Sequence, residues 1–420
     1  MATRRAREGV LIVGGGFAGA YVARSLRGGS TIVDPRNFML YTPLLPEAAS
    51  GTLEPRHVVV PLRQMCPRSE LVVGRAHTLD EQRRVVGVTT DDGELEYEYE
   101  QLVLAAGAVS RVPAVPGLEQ HAVGFKDLAE AIRLRNHVLH QLESAVSSAD
   151  PERRAAHLSF VFVGAGYAGV EALAELSDLV DDASRYYPEL TGTPRRWVLV
   201  DAAPRILPET PPRLADYAAR ELRGRGIDIR VRTTLDEAAD GWARLSDGER
   251  IDTRTLVWTA GVRPNRLTSE WRLPVDERGR VLVDDHLRVE GRRNVWALGD
   301  LARVPNAATP GRFDPPTSQH ALRQARQLAR NVEGELEPYR YGMLGMVATL
   351  GRYKGIADVL GLRLRGYPGW FVTRTYHLYQ LPLFRRKLRV VMDWTIALLF
   401  RRDIAELGEL GRRRRIGEPP

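Results

Sequence analysis

Two copies of a strand–glycine-turn–helix unit and a basic, aromatic-rich C-terminal end predict an α/β fold. It consists of two Rossmann-like dinucleotide-binding domains plus a C-terminal membrane-associating segment. The first copy is Val10–Asp34, in which an apolar run turns through Gly14-x-Gly16-x-x-Gly19, continues as a small-residue helix and returns as Thr31-Ile32-Val33 ending on Asp34. The second opens with Leu158–Val163, turns through Gly164-x-Gly166-x-x-Gly169 and reaches Trp197–Val200 ending on Asp201. Residues 351–420 carry 15 Lys/Arg against 6 Asp/Glu, a net +9 in a chain of +7, so residues 1–350 sum to −2.

Each glycine of such a turn has its own task. The first permits the tight turn, the second lets backbone N–H groups close on a pyrophosphate at the helix N-terminus, and the third lets the helix lie against the strand. An acid at the end of the following strand is placed for a ribose diol, which is the position of Asp34. Asp201 stands further from its glycines than the usual spacing of about 20 residues. The Tyr186–Pro194 stretch reads as an inserted loop that explains the delay. Asp201 is therefore either a ribose ligand that disfavours a 2′-phosphate, with Arg205 nearby working against that preference, or an ordinary strand-end carboxylate. Two nucleotide units in one chain suit a donor and an acceptor that must meet, or else a duplication with one unused site.

Composition excludes several classes. A chain of 420 residues can hold two or three domains. The N-terminal ATRRARE is charged and lacks an apolar h-region, so no secretory signal is expected. The longest apolar candidate, Val390–Phe400, is interrupted by Asp393, and no transmembrane helix is expected. The single cysteine, Cys66, excludes a disulfide scaffold, a CxxC pair and a cysteine metal site, and reads as a small apolar side chain. No metal site is expected.

Between the glycine turns, Arg36–Glu47 is an apolar, turn-rich segment, and Pro43 and Pro46 argue against a regular helix there. Short strands are expected at Val58–Pro61, Leu71–Val73 and Leu102–Gly107, the last ending on Ala106 and Gly107, where backbone can approach a ligand closely. Residues 127–149 have the periodicity of a helix. Leu256–Gly261 repeats the ending of the 102–107 strand, and Asn294–Asp300 finishes on Gly-Asp, an acid placed for a ribityl or phosphate-linked hydroxyl, near a helix at Ser318–Val332.

These stretches stand in a familiar order. GGGFAGAYVA, LVLAAG, GAGYAGVEALAEL, LVWTAGVRPN and NVWALGD resemble the two-dinucleotide-binding flavoprotein reductases. Within them RNFMLYTPLLPEAASGTLEP, PPTSQHALRQARQLARNV and the sequence from Tyr339 to Phe400 resemble the type II NADH dehydrogenases, single-subunit NADH:quinone oxidoreductases. The resemblance runs from Val10 to about Phe400. It implies FAD on residues 1–120 and the return segment 276–340, NADH on 121–275, and a membrane-anchoring and dimerisation region at 341–420.

The resemblance implies that FAD is held by Gly14, Gly16, Ala18, Gly19, Asp34, Arg36, Ala106, Gly107 and Asp300. NADH falls to Gly164, Gly166, Gly169, Glu171, Asp201 and Gly261, and a quinone to Pro43, Leu44, Ser318 and Gln319. Glu171 and Gln319 are the implied catalytic pair. Glu171, expected in the first helical turn facing the nucleotide, contacts the nicotinamide carboxamide in the family; otherwise it is a dipole-stabilising acid, worth about 0.3–1 kcal/mol. Gln319 can both donate to and accept from quinone oxygens, or simply serves as a helix-start residue. Ser318 replaces the usual alanine and leaves the quinone type open. His320 reads as a satisfied core or surface histidine.

In the C-terminal segment Trp370, Phe371, Tyr376, Tyr379 and Trp394 interleave with Arg374, Arg385, Arg386, Lys387 and Arg389, the pattern of a monotopic anchor on anionic lipid. The same aromatics would also suit a homodimer interface, and Arg412–Arg415 a solvated tail or a weak nucleic-acid patch. No nucleic-acid-reading fold is recognisable. The implied activity passes a hydride from NADH to FAD and two electrons to a membrane quinone, without proton pumping, at the cytoplasmic face of the cell membrane. The alternatives are a soluble NAD(P)H-dependent reductase of a ferredoxin- or rubredoxin-type protein and a non-catalytic NADH-sensing flavoprotein.

Overall fold

The computed structural model describes residues 2–343 and 345–406; the Arg412–Arg415 run lies outside them. The helices used below are α1 (Phe17–Ser25), α2 (Leu45–Ala49), α3 (Leu128–Ser147), α4 (Tyr167–Ala183), α5 (Ser318–Val332), α6 (Tyr367–Gln380) and α7 (Phe384–Leu399). The chain divides into two compact units. One comprises Met1–Tyr41, Val59–Val109 and Val262–Met343, the other Thr42–Val58, Ser110–Gly261 and Leu344–Pro420.

The first unit is built on a five-stranded parallel sheet. Its strand order is Val295–Ala297, Gln101–Leu104, Val10–Val13, Thr31–Asp34, Glu70–Val73. Strands covered on both faces read as continuous apolar runs, and VLIV at the sheet centre is buried throughout. The second unit repeats the plan with the order Ala122–Gly124, Thr255–Trp258, Ser159–Val163, Arg196–Asp201, Ile227–Val231, again all parallel. In each sheet the strand leading into the glycine turn is central, with the acid-ending strand beside it. Ligands bind such sheets at the carboxyl ends of the strands, where both turns lie.

Helix starts follow from side-chain chemistry. Asp127 caps α3 with a reciprocal capping box, accepting from Glu130 N at 2.9 Å while Glu130 accepts from Asp127 N at 3.2 Å. Thr317 caps α5, which spans the expected residues. By contrast, α1 and α4 begin on Gly16 and Gly166 with no side-chain cap. Their first N–H groups are thus left to another acceptor.

The Pro43–Pro46 segment does hold a helix, α2, because Pro46 sits in its first turn, where its missing N–H has no intrahelical partner to lose. Pro43 lies in a single 3-10 turn, Thr42–Leu44.

The C-terminal part of the second unit is a three-stranded antiparallel sheet, Gly345–Thr349, Gly355–Val359 and Leu362–Arg365, followed by α6 and α7. The first turn of α6 lies almost on the second of these strands. A Cβ on Gly369 would come within 2.5 Å of the Gly355 carbonyl oxygen, so glycine at 369 permits the approach that seats Trp370. Among the described residues no helix is long and apolar enough to cross a membrane.

Candidate active site

In the first unit the turn Gly14–Gly19 has the geometry its glycines imply. Gly14 has φ +106°, and a Cβ on Gly19 would stand 1.8 Å from the Gly14 carbonyl oxygen, so α1 can reach its strand only with glycine there. A Cβ on Gly16 would meet nothing within 4 Å, so the turn faces open space at its second glycine. The Asp34 carboxylate, buried at the strand end, accepts from Gly15 N at 2.6 Å and from Arg36 N at 2.8 Å. The Arg36 guanidinium stands 3.7 Å from the same carboxylate.

Ala106 lies beside Gly14, its Cα 2.9 Å from where a Gly14 Cβ would be. Gly107 follows at φ +65°, open to space. Gly299 packs its backbone against Ala18 and Ala321, which brings Asp300 to the ends of α1 and α5. Ser318 and Gln319 begin α5, and Gln319 Oε1 accepts from the Tyr341 hydroxyl at 3.4 Å. The flavin candidates of this unit and the α5 start are thus assembled around one turn.

A network not visible in the sequence supports that assembly. Gln324 Oε1 accepts from Gly299 N at 2.9 Å, while its amide donates to buried Asp314 at 3.0 Å. His320 Nδ1 and Asp314 Oδ2 lie 2.5 Å apart, and Asn306 donates to the same carboxylate at 2.9 Å. Burial opposes the charge of Asp314, but the bonds from His320, Asn306 and Gln324 outweigh it and hold its carboxyl below the usual range. His320 is a core residue of this network.

The second unit reproduces the turn. Gly164 has φ +114°, a Cβ on Gly169 would lie 1.8 Å from the Gly164 carbonyl oxygen, and Gly166 faces open space. Asp201 accepts from Ala165 N and, at 2.7 Å, from Ala203 N. These are the two backbone partners that Asp34 takes in the first unit, the residue after the first glycine and the residue two beyond the acid. The delay is only partly the expected loop: α4 runs 17 residues against nine in α1, and the rest lies mainly between helix and strand, while Asp201 keeps the same place against the turn.

Thr259, overlooked in the sequence although it precedes Ala260-Gly261, ties the turn from below. Its Oγ1 lies 3.0 Å from the Val163 carbonyl oxygen and 2.9 Å from that of Gly164. Gly261 follows at φ +84°. In both units an uncapped helix start, an open second glycine and a strand-end carboxylate coincide, and these residues fit a dinucleotide in each.

Glu171 differs from its expectation. It lies beyond the first turn of α4 and is buried, with Oε1 accepting from Thr349 N at 2.8 Å. Burial pushes its carboxyl up from 4.5 to about 8. The folded chain therefore holds a proton that the unfolded chain releases near pH 4.5. The associated stability is fully present below about pH 4.5 and drains away as pH rises toward 8, by up to about 1.4 kcal/mol per pH unit. Glu171→Gln keeps an acceptor for Thr349 and has no proton to lose. Urea unfolding at about pH 5.5 and 7.5 is expected to show a smaller loss for the variant than for the native chain; equal losses would contradict the buried acid.

The helix carries further acids along one face, Glu175, Asp178 and Asp182. Glu175 accepts from Ser50 at 3.0 Å and from Arg402 at 2.9 Å. Arg402 also donates to Asp182 at 3.0 Å and to Thr52 at 3.0 Å. Asp178 pairs with Arg225, and burial raises its carboxyl to about 6.

The residues implied for the quinone fall differently. Pro43 and Leu44 belong to the second unit, Leu44 buried and Pro43 half-buried, whereas Ser318 and Gln319 belong to the first. The anchor pattern needs correction at three positions. Trp370, Arg374 and Trp394 are buried, because Arg374 lies between the two indoles and pairs with Glu47 at 3.0 Å, while Trp394 Nε1 donates to the same oxygen at 2.6 Å. Glu47 itself is buried, and burial outweighs Arg374 to raise its carboxyl. What α6 and α7 expose is chiefly apolar, Phe371, Phe384, Leu388, Met392, Ile396 and Leu399, with Arg385 and Arg389 exposed among them.

The profile of the pyridine nucleotide-disulphide oxidoreductases matches residues 8–325. The chain is similar to a probable NADH dehydrogenase of Dictyostelium discoideum, 32% identical over 95% of this chain and 91% of that protein. It is also similar to the type II NADH:quinone oxidoreductase Ndh of Mycobacterium tuberculosis, 28% identical over 94% of this chain and 88% of that protein. The fold matches that of NDH2 from Plasmodium falciparum in complex with NADH, with a TM-score of 0.87 at 17% identity, covering 94% of this chain and 99% of that one. With a single cysteine the chain has no disulphide pair of its own. By these matches and by its two glycine turns, it belongs to the pyridine nucleotide-disulphide oxidoreductase family, on the branch of the type II NADH dehydrogenases.

Proposed function

We propose that this protein is an FAD-dependent NADH:quinone oxidoreductase, peripheral on the cytoplasmic face of a cell membrane and working as a homodimer. The observation that carries the reading is the duplicated turn: two units of one geometry, each closed by a buried or half-buried acid, in a chain whose relatives are NADH dehydrogenases. FAD supplies the redox chemistry when bound, taking a hydride from NADH and passing two electrons with protons to a quinone.

The chain's own residues bind and orient. The Gly14–Gly19 turn and the α1 start would take the flavin nucleotide's pyrophosphate, Asp34 its ribose, and Asp300 a hydroxyl of its linker. Residues 1–120 and 276–340 form that part. Within 121–275, Gly164–Gly169 and Asp201 would take NADH, and the Asp201 carboxylate disfavours a 2′-phosphate. Glu171 holds a proton in a buried place close after the second turn, and Gln319 offers a donor and an acceptor to quinone oxygens. The exposed apolar side chains of α6 and α7, together with Arg385, Arg386, Lys387 and Arg389, favour a membrane acceptor over a soluble iron–sulfur protein.

Steady-state NADH oxidation on anionic liposomes tests the acceptor. A menaquinone or ubiquinone analogue is expected to sustain turnover and a ferredoxin-type protein is not. Gln319→Ala is expected to lower quinone-dependent kcat by roughly tenfold or more, the loss of a hydrogen bond to the reacting ring, with the flavin still bleached by NADH at the native rate. Turnover with the iron–sulfur protein alone would sink the quinone reading.

A further inference from the structure

Of residues 42–50 only the leading edge reaches the surface, Thr42 exposed and Pro43 half-buried, while everything from Leu44 to Ser50 is buried. At five residues α2 is too short to hold a place by its own hydrogen bonds, so that edge stands where tertiary ties put it. Glu47 gathers these ties. Its backbone carbonyl accepts from Thr52 N at 2.9 Å, Leu53 N at 3.1 Å and the Ser50 hydroxyl at 3.2 Å, which closes the chain behind α2. Its side chain meets residues far along the chain. One oxygen, Oε2, accepts from Arg374 of α6 at 3.0 Å and from Trp394 of α7 at 2.6 Å.

An acid in this place is a poor device for stability. Taking a carboxylate and a guanidinium out of water offsets most of what their attraction returns, and apolar side chains of similar volume often serve as well or better. What the pair does supply is geometry. Two donors on two helices converge on a single atom, so α2 seats in one register, whereas apolar contacts alone are non-directional and let a short helix slide.

The helices so engaged, α6 and α7, are the ones whose outer faces expose Phe371, Phe384, Leu388 and Met392. A quinone keeps its tail in lipid and brings its ring to the protein. The segment that receives the ring must therefore keep register with the surface that meets the lipid. We propose that Glu47 is a positioning residue for quinone binding. By holding Arg374 and Trp394 on one oxygen it fixes the Thr42–Leu44 edge to the two membrane-facing helices, and it acts through that edge from behind. The inference rests on the reading of the protein as a quinone reductase with Pro43 and Leu44 at the quinone.

Steady-state kinetics of the flavin-loaded full chain on liposomes test it with two acceptors. One is a quinone analogue and the other ferricyanide, a hydrophilic oxidant with no ring to seat. Glu47→Leu is close in volume and offers no acceptor. It is expected to raise KM for the quinone about tenfold or more with kcat within about twofold of native, the pattern of lost binding rather than lost chemistry. Ferricyanide turnover and flavin bleaching by NADH are expected to stay within about twofold of native. Glu47→Gln keeps an oxygen for both donors and is expected to bring KM back to within about threefold of native. Where Glu47→Leu fails to fold, Trp394→Phe takes its place. It keeps the ring, removes one donor and is expected to raise KM about threefold, the loss of one hydrogen bond.

An unchanged quinone KM in the folded variant would overturn the inference, and so would a rise that Glu47→Gln shares in full. Equal losses with quinone and ferricyanide would also overturn it, leaving Glu47 a residue of the fold alone. A native chain that reduces ferricyanide but no quinone would instead overturn the quinone reading beneath it.

Discussion

Gly169→Ala is expected to give a yellow protein that NADH no longer bleaches, and Gly19→Ala a protein that has lost its colour. The physical reason is the same in both. An added methyl at 169 would stand 1.8 Å from the Gly164 carbonyl oxygen and 2.6 Å from Thr259 Oγ1, and one at 19 would stand 1.8 Å from the Gly14 carbonyl oxygen. No L side chain fits at such distances, so the helix must leave its strand and the N–H groups at its start lose their aim. Misplacing a binding geometry by about 1 Å can lower a rate about 100-fold. At least that loss in kcat/KM for NADH is expected of Gly169→Ala, with flavin content near native. Flavin content by absorbance and the bleaching rate by stopped flow read the two effects separately. Loss of flavin from Gly169→Ala, with retention by Gly19→Ala, would reverse the assignment of nucleotides to units.

Arg402→Ala is expected to destabilise the second unit by about 3–5 kcal/mol, the cost of removing one partner from a buried ion pair. Arg402 and Glu175 have side chains only 6% and 1% exposed, 2.9 Å apart, and Arg402 binds Asp182 and Thr52 as well. Without the guanidinium Glu175 keeps Ser50 but loses its countercharge. Arg401 is the control. It is 47% exposed and reaches Asp182 only at 4.0 Å, so Arg401→Ala is expected to change stability by less than about 1 kcal/mol. Adding Glu175→Gln to an Arg402→Met chain removes the stranded charge and should recover much of the loss. Urea midpoints for the native chain and the four variants decide it; equal effects at 401 and 402 would contradict the buried network.

The two units were legible because their signal is local. A glycine spacing, a strand before it and an acid after it specify a turn within a few dozen residues, and even the insertion before Asp201 did not hide the strand end. The start of α5 and the Gly299–Asp300 turn were legible for the same reason. What escaped notice depends on distant partners. Nothing near Glu171 announces Thr349, 178 residues away, which holds its carboxylate. Trp370, Arg374 and Trp394 look like an interfacial pattern until Glu47, more than 300 residues earlier, draws them inside. Gln324 and Asp314 had no motif to mark them, although they fix the backbone beside Asp300. Pro46 misled because its position within a helix, not its presence, decides whether a helix can form.

The most direct measurement of the central claim is anaerobic. Purified flavin-loaded protein is mixed with one equivalent of NADH and then with a quinone analogue, and flavin absorbance is followed throughout. Bleaching within the turnover time, followed by full return of the oxidised spectrum on quinone addition, is the predicted result. Bleaching that persists after quinone would contradict it, leaving two working nucleotide sites and a different electron acceptor.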